Sequence, residues 1–185
     1  LCTATQPSLD DLMKDFAPKH PVTELCPQTV RLQESFRRVT FRKAGVLGDD
    51  MLAQEMQEHS QVLCIVNSRK AAQRIFERLP QEGSFHLSTL MIPVQRQKIL
   101  EEIRERLKAG LPCRVVSTSL IEAGVDVDFP AVYREMAGLD SILQAAGRCN
   151  REGKRSADES IVTIFEREEL PPMLFRTAIG AAREA

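Results

Sequence analysis

The sequence predicts an α/β domain, a three-layer sandwich with a mostly parallel central sheet. Three observations predict it. Val62–Val66 (VLCIV) is a short, unbroken apolar run, the mark of a strand buried on both faces. Val94–Lys108 carries Ile99, Ile103 and Leu107 at spacings of four, the mark of a helix with one apolar stripe. Strand-like and helix-like segments alternate from there to about Glu166, which implies βαβ units and a sheet covered on both sides.

Taken in order, residues 1–33 read as irregular, with prolines at 7, 18, 21 and 27. One short helix fits there, from Ser8 as N-cap through Leu9, Leu12, Met13 and Phe16. Phe36–Lys43 (FRRVTFRK) favours a strand, since Val39 and Phe41 alternate with polar neighbours. Asp49 and Asp50 open a helix to about Glu58. After the Val62–Val66 strand, Arg69–Leu79 reads as a helix with Ala72, Ile75, Phe76 and Leu79 on one stripe. Phe85–Ser88 and Arg114–Ser117 are strand candidates around the Val94–Lys108 helix, which Gly110 ends. Val132–Met136 and Ile161–Phe165 complete the strands, with a helix over Ser141–Ala146 between them. The expected organisation is an N-terminal segment over 1–35, the α/β lobe over 36–167, and a C-terminal tail or linker over 168–185.

Composition narrows the function. Hydrophobic residues make up 43% and charged residues 28% of the 185, a globular balance. A formal net charge of −1 gives no bulk attraction to a polyanion, so any nucleic-acid contact must come from locally placed donors. No apolar run approaches the roughly 20 residues that span a bilayer, and no signal peptide opens the chain. The first residue is Leu1, and the opening residues already read like the interior of a fold, which is expected of a piece of something longer. Cys2, Cys26, Cys64, Cys113 and Cys149 form no CxxC pair, and Cys64 and Cys113 lie in strand-like runs. Reduced thiols in a cytosolic protein fit best. His20, His59 and His86 lack ligand spacing, so no metal site is assigned.

Four polar segments punctuate this pattern, each expected directly after a strand, where ligands bind in such sheets. They are Leu1–Pro7 (LCTATQP), Ile65–Arg69 (IVNSR), Ser117–Asp128 (STSLIEAGVDVD) and Gln144–Arg151 (QAAGRCNR). In order and wording they resemble the third, fourth, fifth and sixth motifs of superfamily 2 helicases, the last matching Q-x-x-G-R-x-x-R. TATQP, EAGVDVDFP and QAAGRCNREG together resemble one branch, the CRISPR-associated helicase–nuclease of type I interference systems. The resemblance covers Leu1 to about Glu166 and implies the second RecA-like lobe of a prokaryotic, cytoplasmic ATP-driven motor.

What the resemblance implies residue by residue has a physical side. Arg148 and Arg151 lie three apart, hence on one helical face, and Gly147 lets that helix approach its neighbours closely. Two guanidinium forks aimed at one triphosphate act as arginine fingers, with Gln144 completing the motif; such fingers are worth about 1,000- to 100,000-fold in rate. Gly124 and Asp126 match positions that face the nucleotide, where Asp126 accepts from ribose hydroxyls and holds the arginines. Thr118 matches a hydroxyl on a nucleic-acid phosphate, although a helix cap also fits it and a turn acid also fits Asp126. Asn67, Ser68 and Arg69 open a helix whose free N–H groups suit a phosphate, and a plain N-cap explains Asn67 and Ser68 equally well. Arg96 matches an arginine near the strand, or is a surface arginine. Thr3 and Thr5 match hydroxyls that couple ATP state to strand separation.

The resemblance also implies what the chain lacks. Its only Gly-Lys pair, Gly153-Lys154, is followed by Arg155, so there is no G-x-x-x-x-G-K-[ST] loop, and no D-E-x-[DH] tetrad occurs. ATP and Mg²⁺ are then held mainly by an N-terminal motor lobe outside this chain, together with a nuclease domain. The implied partners are single-stranded DNA and a crRNA-guided surveillance complex, with no membrane. Two rivals remain open: a lobe of another superfamily 2 RNA or DNA helicase, and a non-catalytic α/β module that docks phosphate or protein.

Overall fold

A computed structural model describes residues 37–121, 125–169, 173 and 176–184. Numbered among the described residues, the elements run β1 (Thr40–Val46), α1 (Asp49–Glu58), β2 (Gln61–Ile65), α2 (Arg69–Phe76), β3 (Ser84–Leu87), α3 (Pro93–Ala109) and β4 (Cys113–Ser117). A 3₁₀ turn (Ser119–Ile121), β5 (Ala131–Glu135), α4 (Leu139–Ala146), β6 (Ile161–Glu166) and α5 (Arg176–Glu184) complete them. The helix expected over Ser8–Phe16 lies outside the described residues, as do Thr3, Thr5 and Gly124.

The six strands form one sheet in the order β1-β6-β5-β2-β4-β3, and each pairing between them is parallel. β2 lies inside the sheet with all five residues buried, as its unbroken apolar run requires. Its residues alternate between two cores. Val62 and Cys64 pack with Leu52 and Met56 of α1 and Ala72 and Ile75 of α2. Leu63 and Ile65 face the opposite layer with Ile103 of α3 and Ala145 of α4. Helices on both faces make the three layers that the alternation predicts.

Local chemistry sets the ends of the elements. Gly110 caps α3 at φ +70°, a left-handed conformation that favours glycine, and Leu111 N–H then reaches the Arg106 carbonyl at 3.0 Å. Ser68 caps α2, its hydroxyl accepting the Ala71 N–H at 3.1 Å. Burial keeps the Cys113 and Cys149 thiols protonated, with pKa values pushed up to about 12, so both behave as core residues rather than nucleophiles.

The mostly parallel sheet is as expected, with every pairing parallel among the described residues. Two expectations change. Residues 37–39 lie outside the first strand, which starts at Thr40, and Phe41 is exposed on β1, an edge strand paired only with β6. The stretch expected as a tail carries α5, whose Ile179 is buried with Met136, Ile142 and Ile164. Apolar residues one helical turn apart were hidden there by the glycine and alanines around them.

A cluster of charges fastens α1, α2 and the end of β6. Asp49 accepts from Arg74 Nε at 2.7 Å and pairs with Arg167 at 2.6 Å, and Arg74 also reaches Glu169 at 2.7 Å. Burial pushes the Asp49 carboxyl up, but the hydrogen bonds from Arg167 and Arg74 outweigh it and hold it below the usual range. A depressed carboxylate stabilises the fold above its unfolded pKa and loses that contribution as pH falls through its folded value. Asp49→Asn is therefore expected to cost about 2 kcal/mol at neutral pH. In urea unfolding, that difference from wild type is expected to vanish as the pH drops below the carboxylate range.

Candidate functional site

The residues expected to be functional divide between two rims of the sheet. At the carboxyl ends of β2 and β4, which are adjacent strands with Ile65 beside Ser117, the chain leaves through Asn67 and Thr118. A cavity of about 650 Å³ opens there, lined among others by Asn67, Ser68, Arg69, Lys70, Thr89 and Thr118. This rim brings together four of the residues expected on nucleic acid. The N–H groups of Arg69 and Lys70, the first two of α2, have no partner among the described residues. Their positively charged side chains are exposed beside them.

Two of the expected ligands are largely committed to the fold. Asn67 donates its backbone N–H to Glu135 at 2.8 Å and its amide to the Met136 carbonyl at 2.9 Å, while its Oδ1 accepts from Arg134 at 2.8 Å. It ties β2 to β5. The Ser68 hydroxyl serves α2, so the plain N-cap describes it. Glu135 and Arg134 were missed by sequence reasoning because both lie in a strand that reads as ordinary core, yet both are buried. Burial raises the Glu135 carboxyl despite the Asn67 N–H and the nearby Arg167 and Arg134. Thr118 is buried, and its carbonyl accepts from Ser117 Oγ at 2.9 Å and from Ile121 N–H at 3.4 Å, closing the 3₁₀ turn. Arg96 stands on the first turn of α3 and does not line this cavity.

The Gln144–Arg151 segment sits elsewhere, and two expectations about it are corrected. It does not follow a strand. It runs from the last turn of α4 into the turn beyond, and its Cys149 bridges Phe129 just ahead of β5, while Asn150 bonds Arg38 just ahead of β1. It therefore lies level with the amino ends of the strands. Nor do Arg148 and Arg151 share a helical face, because α4 stops at Ala146. Gly147 has an ordinary φ of −64°, and a side chain there would meet only carbonyls of its own preceding turn, so close approach to a neighbour is not its role.

The two arginines have opposite surroundings. Arg148 is buried and its Nε donates to the Ile121 carbonyl at 3.0 Å. Arg151 is exposed, and its Nε pairs with Asp126 at 2.8 Å, with 44% and 79% of the two side chains accessible. The Asp126 backbone carbonyl is held by Arg104 at 3.0 Å. Gln144 is exposed on the last turn of α4.

What fixes the Arg151 turn is a pair of residues outside the motif consensus. Asn150 is fully buried at φ +47°, the left-handed region that asparagine tolerates better than most side chains. Its Nδ2 donates to the Arg38 and Arg155 carbonyls, both at 2.8 Å, and its Oδ1 accepts the Arg155 N–H at 3.0 Å. Asp128 accepts the Arg151 N–H at 2.7 Å and pairs with Arg155 at 3.4 Å. The run Asn-x-x-Gly, which marks a turn, was the available signal for Asn150. A cavity of about 490 Å³ flanks this turn, with Arg104, Lys108, Asp128 and Arg155 among its walls.

The comparisons bear on the fold, which is that of a RecA-like lobe. Crystal structures of T. fusca Cas3 with ATP and with ADP both superpose with a TM-score of 0.60, at 21% and 20% identity, covering 78% and 72% of this chain and 20% and 19% of theirs. The Mycobacterium smegmatis helicase Lhr bound to ssDNA and AMP-PNP gives 0.52 at 19% identity over 69% of this chain and 20% of that one.

Residues 58–154 match the family described as CRISPR-associated nuclease/helicase Cas3, C-terminal, and the chain belongs to that family. The Cas3 of Methanothermobacter thermautotrophicus is 33% identical over 143 residues, which is 74% of this chain and 17% of that protein. The Haloferax volcanii Cas3 is 40% identical over 80 residues, 41% of this chain and 8% of that protein. The chain thus spans well under a quarter of the length of both relatives.

Removing the Asn150 carboxamide is expected to loosen the Arg151 turn. Asn150→Ala should cost about 3 kcal/mol in urea unfolding, since it strands buried polar groups at about 1–3 kcal/mol each. Hydrogen exchange at the Arg155 N–H should accelerate in parallel. Asn150→Gly restores the backbone freedom but not the bonds, and should fall between the two proteins.

Proposed function

We propose that this chain is the second motor lobe of an ATP-dependent CRISPR-associated DNA helicase that unwinds target DNA for degradation in antiviral interference. In this reading the enzyme works in the prokaryotic cytoplasm. It takes its single strand from a crRNA-guided surveillance complex. ATP and Mg²⁺ are held mainly by a first lobe, on which Thr3 and Thr5 are the coupling hydroxyls. A nuclease domain completes the machine, and this chain alone is incomplete for hydrolysis.

The observation that carries the reading is the state of Arg151. A guanidinium belonging to the sixth motif stands exposed on a rigid, hydrogen-bonded turn, tethered through one solvent-facing carboxylate. Such exposed pairs are worth about 0–1 kcal/mol, so a triphosphate with its larger charge takes the arginine at little cost. The backbone is already in place, as transition-state stabilisation requires. Asp126, once released, turns to the ribose hydroxyls, Gln144 adds an amide donor from the end of α4, and Gly124 and Gly147 leave the nucleotide room.

Arg148 has a different task in this scheme. Its guanidinium is a positioning group: it holds the Ile121 carbonyl, while the Ile121 N–H is held by Thr118. The strand seat and the nucleotide turn are thereby joined through one short segment. In the strand seat, the N–H groups and side chains of Arg69 and Lys70 and the Thr118 hydroxyl take phosphate oxygens. Asn67 and Ser68 shape it, and Arg96 lengthens it along α3. Lobe closure on ATP and opening after hydrolysis then move that grip along the strand.

In the enzyme that carries this lobe, Arg151→Ala is expected to lower ATP turnover by about 1,000-fold or more. Nucleotide affinity, measured with a fluorescent analogue, should change only several-fold. Turnover that stays within tenfold of wild type would remove Arg151 from the reaction.

A further inference from the structure

The turn between β3 and α3 exposes apolar side chains where the cavity beside Thr118 ends. Leu90 is 75% exposed, Ile92 56% and Val94 64%, although Met91 between the first two packs into the core. The alternation is imposed by the backbone. Buried Ser88 accepts the Leu90 N–H on its hydroxyl at 3.2 Å and the Met91 N–H on its carbonyl at 3.2 Å, and Pro93 starts the helix. With Met91 anchored inward, its two neighbours must face out. They do so on a fixed turn.

This exposure has a location. Thr89, the residue before Leu90, lines the same cavity as the cations of Arg69 and Lys70, whose N–H groups have no partner among the described residues. The apolar turn therefore continues a surface whose charge suits phosphate. In a single strand each phosphate carries a base with an apolar face a few ångströms away, and apolar side chains such as Leu and Ile contact or wedge between bases.

We propose that Leu90 and Ile92, extended by Val94, form an apolar shelf for the bases of a single DNA strand whose phosphates occupy the cavity beside Thr118. The proposal rests on the strand-seat reading above. It makes the grip depend on bases without reading their sequence, because every base offers a similar apolar face. It also gives the lobe a way to prefer unpaired over paired DNA, since stacked bases in a duplex have no free face to offer.

The test uses the enzyme that carries this lobe and two oligonucleotides of equal length, a thymidine homopolymer and its abasic counterpart. Leu90→Ser/Ile92→Ser is expected to weaken binding of the homopolymer by roughly five- to tenfold, the lower end of what stacking on a side chain delivers per base. Affinity for the abasic strand should not change, and Leu90→Met/Ile92→Met should restore the homopolymer to its wild-type affinity. Equal loss on both strands, or loss on neither, would overturn the shelf. Arg69→Ala separates the two ideas: it should weaken both strands alike, and if it weakens neither, the strand seat itself is overturned.

Discussion

Asn150 divides its carboxamide between Arg38 and Arg155, and most of the chemistry attributed to this lobe depends on that division. After α4 the chain must turn sharply, bridge Cys149 to Phe129 and start toward β6. A left-handed residue makes the turn, and three buried hydrogen bonds make it rigid. The exposed guanidinium of Arg151 is a consequence. Its own N–H is fixed by Asp128, so only the side chain remains free to exchange partners. In the proposed role as a finger, a loosely held loop would have to be ordered during each turnover, whereas a turn fixed in this way would lose little entropy on engagement.

The sheet then acts as the frame between two rims. At the carboxyl rim, Asn67, Arg134 and Glu135 lock β2 to β5, which steadies the start of α2, whose first N–H groups have no partner among the described residues. At the other rim, the Arg151 turn is tied to the starts of β1 and β5. Between them runs a hydrogen-bonded path from Thr118 through Ile121 to Arg148.

Most of the fold was legible in the sequence because its signals are local. VLCIV is an apolar run of strand length, the four-residue spacing over Ile99, Ile103 and Leu107 is helical, and Gly110 is the residue type that ends such a helix. The edge strand was less legible, since Phe41 reads as core by alternation while the edge position leaves it in water. The site was legible as a set of motifs but not as geometry. Helical spacing placed Arg148 and Arg151 on one face, because nothing local announced that α4 stops at Ala146. The buried ties of Asn67, and the roles of Asp128 and Asn150, depend on residues distant in sequence such as Glu135 and Arg38. Spacing along one chain segment carries no information about them.

The central claim is that Arg151 meets charge that exists only as the γ-phosphoryl group transfers. Binding of ADP–aluminium fluoride, a mimic of that state, measures it most directly when compared with a non-hydrolysable ATP analogue in wild type and Arg151→Lys. The account predicts that losing the planar fork weakens the mimic by about 100-fold or more while the ATP analogue changes only several-fold. Equal weakening of both, or of neither, would contradict it.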